Sequence, residues 1–207
     1  MSKKPLLPTP NALLKGKQQP DLVEVPARLV LALHGSGGPT TSAFSAAVGA
    51  LYGISYALRF ARKKAGRPVF KVGVLEGEWR AEGEGLSIYE TPSQDSWRWR
   101  MQMCVPSDAT EDELGGVVDA ATTKRGGKLE GSEEAQRIEL LGIEPARFAR
   151  ILHVGPYSTE PDSFAKLDEL LLEHGLGREP WHVEVYLSDP NRTVPDKLKT
   201  VLLVKVD

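Results

Sequence analysis

Apolar and polar positions alternate most cleanly over Trp97–Val105, where Trp97, Trp99, Met101, Met103 and Val105 share one side of an extended chain. That period of two predicts a strand with one apolar, aromatic face. The same reading gives strands at Ala27–His34, Val69–Leu75, Phe148–Val154, Trp181–Leu187 and Leu198–Val206, with a short one at Arg137–Leu141. Between them the period changes. From Thr41 or Ser42 to about Ala65, Phe44, Val48, Leu51, Ile54 and Leu58 recur at helical spacing and form a core stripe that Gly66 ends. Tyr52, Tyr56 and Phe60 make a second, aromatic stripe on that helix, which reads equally as packing or as a ligand wall. Thr110 with Glu113 forms a capping box for a helix carrying Leu114, Val117, Val118 and Ala121, with Gly126-Gly127 as its stop. Pro161-Asp162 opens another, whose Phe164, Leu167, Leu170 and Leu171 face the core before Gly175. The Gly35-Ser36-Gly37-Gly38-Pro39 run has no phosphate-loop or dinucleotide spacing and reads as a turn, and a polar Gly/Glu loop runs through Gly85.

These elements occur twice. Pro26-Ala27-Arg28 leads to Leu33-His34, and Pro145-Ala146-Arg147 leads at the same spacing to Leu152-His153. Each copy is followed by an amphipathic helix, a strand pattern carrying a glutamate (Glu76, Glu184) and a second strand pattern. Two βαββ units in tandem predict an α+β fold, one continuous antiparallel sheet with helices on one face and a ligand cavity on the other. Residues 1–25, rich in Pro, Lys and Gln without periodicity, read as an extended N-terminal arm that lies on the body or is disordered. Residues 26–207 read as a single domain, with a first half 26–106, a connector 107–144 and a second half 145–207.

Composition narrows the function classes. A net charge of −2 over 207 residues supplies no long-range pull toward nucleic acid or an anionic membrane, so neither is expected as partner. No window approaches the roughly 20 apolar residues of a membrane span, and the proline-broken start does not read as a secretory signal. The one cysteine, Cys104, sits in a strand pattern and suits a reducing, cytoplasmic setting. The four histidines show no metal-ligand spacing, and no G-x-S-x-G, Walker or C-x-x-C pattern occurs. No metal or cofactor is expected.

The residues that carry chemistry lie on the strand over Trp181–Leu187. Its alternation puts Val183, Val185 and Leu187 on one face, assigned to the helices, and His182, Glu184 and Tyr186 on the other, assigned to the cavity. Trp79, Trp97, Trp99, Tyr157, Trp181 and Tyr186 supply rings near that carboxylate and suggest a lined pocket for a flat, apolar or cationic small molecule. The plain alternative is a solvated carboxylate on an open sheet. The repeat puts Glu76 near the position of Glu184, and two carboxylates facing one cavity would set an acid beside a base; a solvated strand-end position is the other reading of Glu76. His34 and His153 fall at equivalent strand ends.

The strings His153-Val154-Gly155-Pro156-Tyr157 and His182-Val183-Glu184-Val185-Tyr186-Leu187-Ser188-Asp189-Pro190 resemble the GyrI-like small-molecule-binding family. Leu75-Glu76-Gly77-Glu78-Trp79, Trp97–Val105 and Tyr157-Ser158-Thr159-Glu160-Pro161 narrow the resemblance to its cyclopropanoid cyclopropyl hydrolase branch, over about residues 25–207. The resemblance implies duplicated βαββ units around a ligand cavity and a hydrolase that opens the cyclopropane of DNA-alkylating natural products, a self-protecting detoxification. It implies Glu184 as the residue handling the attacking water, with Glu76 and Tyr157 as partners. Tyr56, Trp79, Trp97, Trp99, His153, Trp181, His182 and Tyr186 are the expected ligand contacts. The alternative is a protein that binds or sequesters amphipathic or cationic aromatic compounds without turnover. No helix-turn-helix pattern precedes the domain, so a drug-sensing transcription factor is not expected. Two departures bear on pocket polarity: Glu78 and Arg80 flank Trp79 where the family has an apolar residue and a second aromatic, and Val183 stands where it has a second histidine.

Overall fold

The structure is a computed structural model that describes residues 6–83, 87–91, 93–123 and 132–206. The expected Gly126-Gly127 helix stop, the end of the Gly/Glu loop at Gly85 and the first five residues of the arm lie outside these.

Eight strands form the sheet: β1 (Asp21–Val25), β2 (Arg28–Ser36), β3 (Leu75–Ala81), β4 (Trp97–Val105), β5 (Glu139–Ile143), β6 (Ala146–Val154), β7 (Arg178–Tyr186) and β8 (Lys199–Val206). The helices are α1 (Asn11–Leu14), α2 (Ser42–Lys64), α3 (Glu111–Thr123), α4 (Ser132–Gln136) and α5 (Glu160–His174). The sheet is antiparallel throughout, in the order β1-β6-β8-β7-β3-β4-β2-β5. That order reads the same outward from the β7/β3 seam, as a tandem duplication requires.

Helix α2 forms where its stripe was expected. Thr41 Oγ1 accepts the Phe44 N–H at 3.3 Å, Arg62, Lys63 and Lys64 complement the dipole in the last turn, and Gly66 ends it at φ +70°. Leu51, Ile54 and Leu58 are buried against β2 and β4, while Tyr56 and Phe60 point outward. Thr110 and Glu113 exchange both capping-box hydrogen bonds at the start of α3. The Arg62 side chain, sealed from solvent, clamps α2 to that start through Asp108 (2.6 Å) and Glu113 (2.8 Å).

One local expectation fails for a physical reason. The strand read over Val69–Leu75 begins where it was to end: Phe70 makes only an isolated bridge to Leu6, and the ladder to β4 and β7 runs from Leu75 onward. The 6–25 segment lies on the body, where it holds the short α1 and adds β1 to the sheet edge beside β6.

The faces of the sheet are also distributed differently. Leu31, Leu33, Met101 and Met103 pack under α2, and Ile151, Leu202 and Val204 under α5, on one and the same face. Gly77, Glu184 and Leu202 are successive partners across β3, β7 and β8, so Glu184 lies on that helix-bearing face. Val183 and Val185, assigned to the helices from alternation, instead pack with Leu13, Val25, Val201 and Leu203 on the opposite face. Alternation separates two faces but does not say which the helices choose.

Candidate functional site

Glu184 sits at the centre of the sheet, beneath the seam between α2 and α5, and is 6 % exposed. Glycine at its cross-strand neighbour, Gly77, leaves space that Trp79 and Met101 lean into; a Cβ there would come within 3.0 Å of Trp79 Nε1. One Glu184 oxygen, Oε1, accepts a hydrogen bond of 3.0 Å from His182 Nε2, which therefore carries the proton. The imidazole is held edge-on by Phe164 of α5 at 4.8 Å and stacked by Tyr89 at 5.6 Å. Its ring cannot turn without unpacking both, so His182 fixes where the carboxylate points.

A second carboxylate shares this face. Glu160, the first residue of α5, is 2 % exposed, and its Oε2 accepts from Tyr89 Oη at 3.3 Å. Burial, followed by the charge of Glu184, pushes the Glu160 carboxyl up to about 9. The tyrosines respond in the same sense. Burial and then Glu184 push Tyr157 up to about 12 and Tyr186 well above the usual phenol range, so both keep their hydroxyl protons at neutral pH. Trp79 Nε1 donates to Tyr186 Oη at 3.0 Å, and Tyr157 meets Tyr186 edge-on at 6.1 Å. Tyr89 and Tyr157, the two phenols of this group nearest the surface, are each a little over a third exposed. A buried carboxylate thus lies close to two partly exposed phenols, an arrangement suited to an aromatic ligand.

Of the residues singled out from sequence, Glu184, His182, Tyr186 and Tyr157 come together, with Trp79 joined through Tyr186. Tyr56 stands on the exposed stripe of α2. Trp97 and Trp99 belong to a packed cluster with Trp79 and Phe44, with ring separations of 5.6–5.7 Å, beneath the start of α2. His153 holds the turn that carries Tyr157, through Ser163 Oγ (2.9 Å) and the Pro156 carbonyl (3.1 Å), without reaching Glu184. Trp181 lies on the opposite face, under the Arg80 guanidinium and edge-on to Phe148.

Glu76 also lies on the opposite face, fully buried, where it accepts from Arg28 Nη2 (2.9 Å), Gln102 Nε2 (2.9 Å) and Cys104 Sγ (3.2 Å). It is neither beside Glu184 nor at a solvated strand end. The repeat misplaced it because its copies fold one residue out of phase: Leu33 faces the helices with His34 outward, whereas His153 faces them and Leu152 does not. Glu78 pairs with Arg80 and Arg100 on that same far side and Val183 packs there too, so both departures from the family pattern lie across the sheet from Glu184.

Glu160 and Tyr89 are the site residues that pattern reading missed. Glu160 reads as an acid complementing a helix dipole, although it lies within the Tyr157–Pro161 string that carried the resemblance. Tyr89 falls in a single 3₁₀ turn, Ile88–Glu90, too short for periodicity. Among the described residues no three His, Cys, Asp or Glu side chains converge as metal ligands, and no helix is long and apolar enough to cross a membrane.

The model of the GyrI-like small-molecule-binding domain matches residues 18–207, and the chain belongs to that family. No curated protein sequence matches. Among solved structures, a hydrolase from Listeria innocua superposes with a TM-score of 0.85 at 26% identity, over 99% of this chain and 100% of the other. An uncharacterized conserved protein from the same organism gives 0.84 at 28% identity, over 95% and 96%. The EcmrR C-terminal domain, at 12% identity and TM-score 0.55, shares the fold. The protein is a small-molecule-binding domain.

Proposed function

We propose that the protein is a hydrolase that takes up flat aromatic electrophiles between α2 and α5 and opens a strained cyclopropane with water. The observation that carries this reading is the buried Glu184 carboxylate, oriented by His182 and close to two partly exposed phenols, with no lysine or arginine paired to it among the described residues. An aromatic ligand would stack on Tyr157 and Tyr89, each ring contributing on the order of 0.5–1.5 kcal/mol. Full-length similarity to a protein described as a hydrolase supports turnover over simple capture.

In the reaction, a water oxygen attacks the ring methylene as Glu184 takes its proton. The cyclopropane C–C bond breaks, and its electron pair runs through the conjugated system to the carbonyl oxygen, which becomes a phenolate. Tyr157, still protonated, donates a hydrogen bond to that oxygen as charge builds there. Incubation with a cyclopropane-bearing alkylator should give a water-added product by mass spectrometry. Glu184→Gln should lose at least about 100-fold in turnover, the usual scale for a general base, while retaining uptake of uncharged aromatic ligands. Unchanged drug that co-elutes stoichiometrically would refute hydrolysis in favour of capture, and normal turnover by the variant would refute the role of Glu184.

A further inference from the structure

The two most deeply buried carboxylates among the described residues, Glu76 on β3 and Glu160 on α5, are supported very differently. Glu76 is matched by a guanidinium, an amide and a thiol. Glu160 receives one phenol hydrogen bond through Oε2, and its Oε1 is buried without a hydrogen-bond partner, the Thr200 hydroxyl lying near the carboxyl but outside hydrogen-bond geometry. An ionised carboxylate sealed from water with an unused oxygen costs several kcal/mol, which a carboxyl group avoids by keeping its proton.

The groups facing Glu160 can be taken element by element. From β7 come the Glu184 carboxylate and, beyond it, His182; from the 3₁₀ turn comes Tyr89; from β8 comes Thr200; and from its own turn comes Tyr157. Tyr89 and Thr200 favour the anion, as does its place in the first turn of α5. Burial and the Glu184 charge act the other way and outweigh them. No lysine or arginine pairs with Glu160 among the described residues, and the Arg28 that neutralises Glu76 lies across the sheet.

We infer that Glu160 is a neutral carboxylic acid beside the Glu184 carboxylate, and that it delivers the proton that converts the ring-opened phenolate into the product phenol. The delivery step rests on the hydrolase reading above; the neutral acid does not. Protons balance. Glu184 gains one from water, Glu160 gives one to the phenolate oxygen, and transfer from Glu184 back to Glu160 resets the pair, so that substrate plus one water becomes product. The acid and base roles expected of Glu76 and Glu184 are filled by Glu160 and Glu184, one from the start of α5 and one from β7.

Infrared spectroscopy and turnover test the two halves separately on the full chain. Wild-type protein at neutral pH should show the C=O stretch of a buried protonated carboxyl, fading as pH rises through about 9 and missing from Glu160→Gln. With a cyclopropane substrate, wild-type turnover should fall over the same alkaline range. The variant should lose roughly 100-fold, with that alkaline limb gone and ligand uptake kept. A wild-type spectrum without the band, or a band that persists in the variant, overturns the neutral acid without requiring the variant to be active. Wild-type rates and an unchanged alkaline limb in Glu160→Gln overturn proton delivery while the hydrolase reading stands. A protein that shows the band but never turns over a cyclopropane overturns the hydrolase reading and the delivery step together, and supports the neutral acid.

Discussion

Glu76 and Arg28 form an ion pair whose side chains are 0 % and 5 % exposed, in a network that also takes in Gln102 and Cys104. Burial raises the Cys104 thiol well above its ordinary range, with the neighbouring Glu76 charge adding to the effect, which keeps that thiol a hydrogen-bond donor. Removing one member of such a pair leaves an uncompensated buried charge, so Glu76→Gln should cost about 3–5 kcal/mol. Turnover per folded molecule should be unaffected, because the network lies across the sheet from Glu184. Denaturant unfolding and activity normalised to folded protein check this, and a variant of wild-type stability with damaged turnover would return Glu76 to the site. Sequence alone pointed to Glu184, His182, Tyr186 and Tyr157 because a mid-strand carboxylate among rings is chemically unusual. It misread Glu76 because a repeat in the letters says nothing about the phase of the pleat, and one residue of slip moves a side chain to the other face.

At the level of elements, the strands and helices that carried a strong period formed as expected. Trp97–Val105 is β4 to the residue, α2 starts at its Thr41 cap, and α3 carries its Thr110/Glu113 box. Boundaries shifted where pairing outranked propensity: β3 was drawn toward Trp79 because β4 and β7 offer ladder partners there, while residues 71–74 have none. The β2–β4 pairing contributes a requirement invisible to patterning. Gly35 pairs with Trp99, whose indole lies across it, and a Cβ at that position would run into the ring. Trp99 in turn packs edge-on against Phe44 in the first turn of α2, and Phe44 stacks on Trp79, the donor to Tyr186. Gly35→Ala should therefore destabilise by about 1–3 kcal/mol, as overpacking a filled core does, and shift tryptophan fluorescence by moving the indole cluster. An unchanged denaturation midpoint and emission spectrum would show that the cluster has slack and does not couple β2 to the site.

For the whole molecule, the site is a cost that the rest of the fold carries. The sheet face under α2 and α5 is apolar except around Glu184 and Glu160, where two carboxylates are buried close enough for one to raise the other. That cost has a sign in pH. Below the ordinary carboxyl value of 4.5, Glu160 is protonated whether the chain is folded or not. As pH rises from there toward about 9, the unfolded chain releases the proton while the folded one retains it, so the folded state binds more protons. Stability from this group is therefore fully present at acid pH, declines across neutrality and levels off once the folded carboxyl also ionises. Glu160→Gln removes the titration without changing the side chain's size. The melting temperature of the variant relative to wild type should rise steadily from about pH 5 to about pH 9 and then hold constant. Parallel melting curves across that range would mean that Glu160 titrates alike in both states, and a gap that narrowed with rising pH would mean that the fold stabilises its anion. The widening gap is the expected result because, of the two buried carboxylates under the helices, only Glu184 has a histidine to hold it.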